Sequence, residues 1–181
     1  MTVTRTDIVE LELRSTYDLL ARRPRLSDGH AIWELVKNTG VLEPNSMYAY
    51  LLLSTHFART CLVVEDTLDQ GKLLAFVAAY RPPSHEDTIF VWQIGVANEV
   101  QGLGLGQQML QALLSLPACQ DVRYVEATVG TSNQASAKLF QGFARRNSLG
   151  CSVSKGFTAT DFGSQHHEDE NLFRIGPIER I

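Results

Sequence analysis

At 181 residues the chain can bury one full hydrophobic core and is short for two domains. Its 44% hydrophobic and 20% charged residues are those of an ordinary soluble globular protein, and a formal net charge of -4 argues against nucleic acid, which needs a basic face. Cys61, Cys119 and Cys151 are odd in number and lack metal-ligand spacing, and no apolar run approaches membrane-spanning length, so a cytoplasmic protein with reduced thiols is expected, with no membrane partner.

Residues 1–15 are polar with scattered Val, Ile and Leu and no sustained period, which predicts a mobile N-terminal arm and leaves residues 16–181 as a single domain. Residues 17–23 predict a first strand ended by Pro24, and the basic run Arg22, Arg23, Arg25 reads as its solvated end. Ser27 or Asp28 can cap a helix whose apolar face is Ile32, Leu35 and Val36, with Gly40 just past its end. Pro44, then Asn45 or Ser46 as a cap, open a second helix running to about Phe57. Residues 61–65 and 73–80 predict two strands joined through Asp69, Gln70 and Gly71. Pro82 and Pro83 break the pattern before the next strand. Three successive strands without a helix, then a helix, predict an α/β (α+β) fold with a mainly antiparallel sheet and helices on its faces.

The third of these strands, residues 88–96, is β-branched and aromatic, while Met109, Leu110, Leu113 and Leu114 recur at helical spacing. Between them Gly102, Gly104 and Gly106 alternate. Glycines there let the backbone take positive φ and approach a ligand closely, and the following helix start presents unpaired N–H groups at its positive end, which suits an anion. The Walker pattern fails because no Gly-Lys-Ser/Thr follows. The dinucleotide pattern ends on Gln107 in one register and on Met109 in the other, although Glu126 stands where a ribose-binding acid would. Gln-x-x-Gly-x-Gly fits without mismatch, at Gln101, Gly104 and Gly106. A glycine-rich connection with no ligand is the remaining alternative. Downstream, residues 123–129 alternate as a strand, Ser132 and Asn133 can cap a helix, Val153, Phe157 and Phe162 mark a strand and loop, and residues 172–175 a last strand.

The turn at Gln101, Gly104 and Gly106 resembles that of the GNAT family of acyl-CoA N-acyltransferases, where it cradles the coenzyme A pyrophosphate. Asn133, Ser136, Leu139 and Phe140 are similar to the family's Asn-x-x-Ala-x-x-Leu-Tyr pattern at the second helix. The resemblance spans residues 19–175. It implies a mixed, mainly antiparallel central sheet flanked by helices on both faces, acetyl-CoA as co-substrate without a metal, and direct transfer in a ternary complex. It places the cofactor at Ile94, Gly95, Val96, Gln101, Gly102, Leu103, Gly104, Leu105, Gly106, Gln107 and Asn133, with a main-chain N–H near Gly95 and Val96 on the thioester carbonyl. Phe140 stands where the family often has a Tyr to meet the leaving thiolate. Another group or a water then supplies that proton, or the thiolate leaves unaided, since a thiol pKa of about 8.5 is tolerable for a leaving group.

Longer segments, at residues 42–52, 56–57, 90–94, 131–136 and 167–170, resemble the L-2,4-diaminobutyrate acetyltransferases of the ectoine pathway. That resemblance implies transfer to the γ-amino group, giving N4-acetyl-2,4-diaminobutyrate, by a homodimer. Glu43 stands where that family usually has Asp. A diamine with one carboxylate calls for acids and a few donors: Glu43 and Glu170 for the ammonium groups, Asn45, Tyr48 and His167 for hydrogen bonds, Trp92 as a wall that attracts a cation, and His167 and Glu170 to drain protons. Each has a plainer alternative. Trp92 can be core, one of Tyr48 and Tyr50 must pack inward, Glu43 can be a helix-start charge, and the run from His166 to Glu170 can be surface or a metal cluster. Another polyamine, an aminoglycoside, a protein amino terminus, or a non-catalytic acyl-CoA-binding module are the rival functions.

Overall fold

The computed structural model describes residues 8–10, 17–163 and 167–179. They divide into two compact units, one of Met1–Tyr80 with Gln93–Gln120, the other of Arg81–Trp92 with Asp121–Ile181.

The first unit holds strands β1 (Ile8–Glu10), β2 (Leu19–Arg22), β3 (Leu62–Asp66) and β4 (Lys72–Tyr80), each antiparallel to the next. The expected arm over residues 1–15 falls outside the described residues except for β1. There Ile8, Val9 and Glu10 pair with Arg22, Ala21 and Leu20, a main-chain ladder that needs no hydrophobic period to form. The β3–β4 connection turns as its residues demand, with Gln70 at φ 49° and Gly71 at φ 75°. Helix α1 (Gly29–Thr39) ends on Gly40 at φ 67°, and α2 (Met47–Thr55) begins on Ser46, whose Oγ accepts from Ala49 N–H at 3.3 Å. Ile32, Leu35 and Val36 of α1 and Tyr50 and Leu53 of α2 pack with Cys61, Val63, Phe76 and Ala78. The alternate residues of β4, Ala75, Val77 and Ala79, are equally buried, and helix α3 (Leu105–Ser115) also packs against this strand. A strand buried on both faces reads as a continuous apolar run, as this one does.

Asp28 does not cap α1 through its side chain. Its carboxylate takes both Nη groups of Arg22, at 2.7 and 3.0 Å, and the Arg25 N–H at 2.6 Å, while Arg22 Nε reaches Glu65 at 2.8 Å. Arg22 is therefore not a solvated strand end: it is 6% exposed. Burial by itself lowers the Arg22 pKa, and the bonds and charges of Asp28 and Glu65 outweigh it, so the group stays firmly charged.

Strand β5 (Thr88–Val96) starts in the second unit and finishes in the first. The second unit adds β6 (Tyr124–Gly130), α4 (Gln134–Arg146), β7 (Cys151–Lys155) and β8 (Glu170–Ile175). β5 runs parallel to β6, β8 is antiparallel to β6, and β7 is antiparallel to β8. The mixed, mainly antiparallel α/β arrangement is the expected one. The parallel pairing matches Thr88, Ile89 and Phe90 with Tyr124, Val125 and Glu126. On α4, Phe140, Phe143 and Ala144 are the buried face, and the Phe140 ring lies 6.2 Å from that of Phe173 on β8. Among the described residues no helix is long and apolar enough to cross a membrane.

Replacing Asp28 with Ala leaves Arg22 buried with one of its two carboxylates. A loss of about 3 kcal/mol is expected in urea unfolding at neutral pH, since breaking a buried pair exposes the cost of the remaining charge; an unchanged midpoint would refute the role given to this cluster.

Candidate active site

The connection from β5 to α3 is shaped by two glycines. Gly102 and Gly104 have φ of 78° and 80°, and a Cβ on either would meet nothing within 4 Å, so the backbone conformation alone selects glycine. Gly106 differs from this expectation because it already lies in the first turn of α3. No side chain caps that helix, and its hydrogen bonding starts with Gln107 N–H and Gln108 N–H on the Gly104 carbonyl, at 3.1 and 3.3 Å. The N–H groups of Leu105 and Gly106 thus stand ahead of the ladder at the positive helix end, as a phosphate cradle requires. The Leu105 side chain is core, 1% exposed, so only its main chain can face a ligand, whereas Leu103 is 43% exposed. Gln101 folds back: its Nε2 donates to the Val96 carbonyl at 3.2 Å and to Asn98 Oδ1 at 2.9 Å, which shapes the turn from inside.

At the end of β5, Ile94 and Val96 are half-buried and Gly95 is buried. A Cβ at position 95 would lie 2.5 Å from Phe76 Cε1 and 3.0 Å from Leu42 Cδ1, so this glycine is a close-approach position. One residue beyond Val96, Ala97 N–H donates to the Leu74 carbonyl at 2.7 Å. Beside it lies a linked set of hydrogen bonds that motif reading missed. Tyr50, fully buried, donates its hydroxyl to Gln93 Oε1 at 3.0 Å and accepts from Asn45 N–H at 3.1 Å; Gln93 Nε2 donates to the Glu43 carbonyl at 3.0 Å. Of the two tyrosines on α2, Tyr50 is therefore the packed one and Tyr48, 68% exposed, the available one. Glu43 is exposed and Asn45 half-buried.

In the second unit Trp92 is 42% exposed and is not a core residue. Asn133 caps α4, its Oδ1 accepting from Ser136 N–H at 3.0 Å. The His167 ring stacks on Phe162 with centroids 3.6 Å apart, and its Nδ1 lies 2.8 Å from the Glu168 carbonyl. A carbonyl only accepts, so Nδ1 carries the hydrogen in that bond and Nε2 has the lone pair of the neutral ring. Glu170 begins β8 half-buried, its N–H donating to the Phe157 carbonyl at 2.8 Å. Among the described residues its carboxylate takes no hydrogen bond. Glu168, which no motif singled out, accepts from Thr131 Oγ1, Ser132 N–H and Ser132 Oγ at 2.7, 2.8 and 2.7 Å. Its pKa is lowered by the Ser132 hydroxyl, then by Thr131 and the Ser132 amide. His166 lies outside the described residues, and among those described no cluster of His, Cys, Asp or Glu could hold a metal. All three cysteines are free thiols, and burial pushes Cys61 up to about 12.

Residues 27–143 match the acetyltransferase (GNAT) family. The chain belongs to that family. Among relatives of this GNAT acetyltransferase, the L-2,4-diaminobutyric acid acetyltransferase of Halalkalibacterium halodurans is 46% identical over 156 residues, covering 86% of this chain and 80% of the relative. The enzyme of the same name from Shouchella clausii is 42% identical over 160 residues, covering 88% of each chain. In structure the GNAT chain is similar to the diaminobutyrate acetyltransferase EctA of Paenibacillus lautus, solved with its substrate L-2,4-diaminobutyric acid and coenzyme A. The TM-score is 0.84 at 40% identity, over 91% of this chain and 99% of that one.

Gly95→Ala should destabilise this acetyltransferase by about 1–3 kcal/mol, because the added methyl must displace the Phe76 ring. A second change, Phe76→Leu, should recover part of the loss in thermal unfolding. Gly95→Ala unfolding at the wild-type temperature would contradict the packing described.

Proposed function

We propose that the protein transfers acetyl from acetyl-CoA to the γ-amino group of L-2,4-diaminobutyrate, giving N4-acetyl-2,4-diaminobutyrate in ectoine biosynthesis. What carries this reading is the likeness to a diaminobutyrate acetyltransferase solved with its substrate and coenzyme A, at 40% identity over 91% of the chain. We read residues 16–181 as one acetyltransferase domain, supported by a family match that runs from residue 27 to residue 143.

The residues present suit the carrier. Two left-handed glycines and a helix start with no side-chain cap make room for a diphosphate. In this reading Gly102, Leu103, Gly104, Leu105, Gly106 and Gln107 offer main-chain N–H groups to it, Gln101 holds the turn in shape, and Asn133 adds a polar contact. Acetyl-CoA brings the acyl group as a thioester. The main chain of Ile94, Gly95 and Val96 orients that group, and the Val96 N–H polarises its carbonyl where charge develops during transfer. Glu43, Asn45, Tyr48 and Trp92 bind the acceptor, whose ammonium groups suit a carboxylate and an aromatic face. His167 Nε2 or the Glu170 carboxylate takes the proton that the γ-ammonium must lose before its nitrogen lone pair can attack. The C–N bond then forms as the C–S bond breaks, and the second proton that the nitrogen must lose on becoming an amide passes to water or to the departing thiolate. Phe140, 2% exposed and packed on Phe173, has no proton to give, so the thiolate takes the proton released by the nitrogen, directly or through another group or a water, or departs as the anion.

Mass spectrometry and NMR of the product from acetyl-CoA and diaminobutyrate should locate the acetyl group on N4. Ornithine, lysine and putrescine should turn over more slowly; equal or faster turnover of any of them would reassign the acceptor. His167→Ala and Glu170→Gln should each lower kcat/KM by about tenfold or more, and wild-type kinetics in both would remove them from the mechanism.

The enzyme works in the cytoplasm as a homodimer in this reading. Strand β7 supports self-association, since all five of its residues are exposed and among the described residues it pairs with β8 alone. Sedimentation of the full chain at micromolar concentration should give twice the 20.1 kDa of one copy; a monomer at those concentrations would discard the dimer.

A further inference from the structure

Glu168 lies between the two residues proposed to take the substrate proton, yet its carboxylate points away from that task. Thr131 Oγ1, Ser132 N–H and Ser132 Oγ all donate to it within 2.8 Å, from the turn that leads β6 into α4. We propose that Glu168 is a positioning residue, a clamp that fastens the loop carrying His167 and Glu170 to the start of α4 and so sets where the acceptor amine can be held. The proposal rests on the function assigned above.

Three further observations agree. A main-chain bond continues the attachment beside the carboxylate, Thr131 N–H donating to the Asp169 carbonyl at 3.2 Å, while within the loop itself the His167 ring is held by Nδ1 donating to the Glu168 carbonyl at 2.8 Å. The outer side of the loop is fastened as well, with Ala159 N–H on Asp169 Oδ1 at 2.8 Å and Glu170 N–H on the Phe157 carbonyl at 2.8 Å. Lastly, β6 ends in Gly130, where any Cβ would collide with Glu168 Oε1 and stand 3.0 Å from its Cδ. A glycine at that position leaves the clamp its space. Glu168 also brings negative charge next to the N-terminus of α4, where the helix dipole favours it. The hydrogen bonds keep the group ionised below the usual glutamate range, so the clamp is closed at neutral pH.

A clamp that serves geometry differs from one that serves only stability. Glu168→Gln keeps the shape but loses the charge and one of the two acceptor oxygens, and Ser132→Ala removes a single hydroxyl. Steady-state kinetics with acetyl-CoA and diaminobutyrate should show the amine KM raised about tenfold in Glu168→Gln and severalfold in Ser132→Ala, the range expected when a group acting through another is removed. The acetyl-CoA KM and the melting temperature should stay close to wild type. Amide exchange of the full chain should quicken at residues 167–170 in both variants. An unchanged amine KM in both, or a fall in kcat that merely follows a fall in melting temperature, would overturn the clamp. If Glu168→Gln does not fold, Ser132→Ala decides by the same measure. Wild-type protein that leaves diaminobutyrate unacetylated would instead overturn the function on which the proposal rests, with the catalytic role of the clamp, and the exchange result would still report whether Glu168 holds the loop.

Discussion

Gly95 lies so close to Phe76 that the end of β5 rests directly on the ring, with no room for even a methyl group between them. Much of the first unit's chemistry depends on that contact. Phe76 in turn meets the edge of Tyr50, with centroids 6.4 Å apart and planes at 83°. The Tyr50 hydroxyl grips Gln93 and the Asn45 amide, and Gln93 grips the Glu43 carbonyl. An apolar contact in the core is thus relayed, through three hydrogen bonds, to the loop that presents Glu43 and Asn45. Each such bond contributes about 1 kcal/mol, but leaving a buried hydroxyl or amide without its partner costs about 1–3 kcal/mol, so the set is held together chiefly by the penalty for breaking it.

The second unit reaches the same end with charge. Glu168 gathers donors from Thr131 and Ser132, and Arg174 pairs with Glu126 while its guanidinium covers the Tyr124 ring at 3.7 Å. These groups are exposed or half-buried, and any single exposed ion pair of this kind is worth little. Convergence of several donors, one of them main-chain, on a single carboxylate gives the loop a defined position. The buried Arg22 cluster is the opposite case, a pair of carboxylates on one guanidinium withdrawn from water.

Much of the proposed mechanism relies on main-chain dipoles. In it the carrier cradle would be made of amides and the carbonyl polarised by an amide, while the position that could have held a phenol is Phe140, a core residue. Side-chain chemistry in that proposal is confined to the acceptor: acids and an aromatic face for two ammonium groups, and a histidine whose Nδ1 is engaged by the Glu168 carbonyl. Such a division suits a reaction in which the activated acyl group is already supplied and the remaining work is to orient two reactants and remove one proton.

The sequence by itself determined most of the elements, though not β1, together with the glycine turn and the family, because those signals are local: a period of two or 3.6, a capping Ser46 or Asn133, left-handed residues at Gly102 and Gly104. It also named most of the residues proposed to meet the two substrates. Tertiary structure alone decided which polar groups bind one another across long separations. Arg22 looked like a solvated strand end because the sequence cannot show Asp28 and Glu65 closing on it, and Glu168 looked like surface because its partners are 36 or more residues away. Tyr50 and Tyr48 are two residues apart on one helix, so one had to turn inward; which one followed from where Phe76 and Gln93 came to lie. Local propensity acts through neighbours a few residues apart, whereas a hydrogen bond depends on an ångström of distance between groups that only the finished packing brings together.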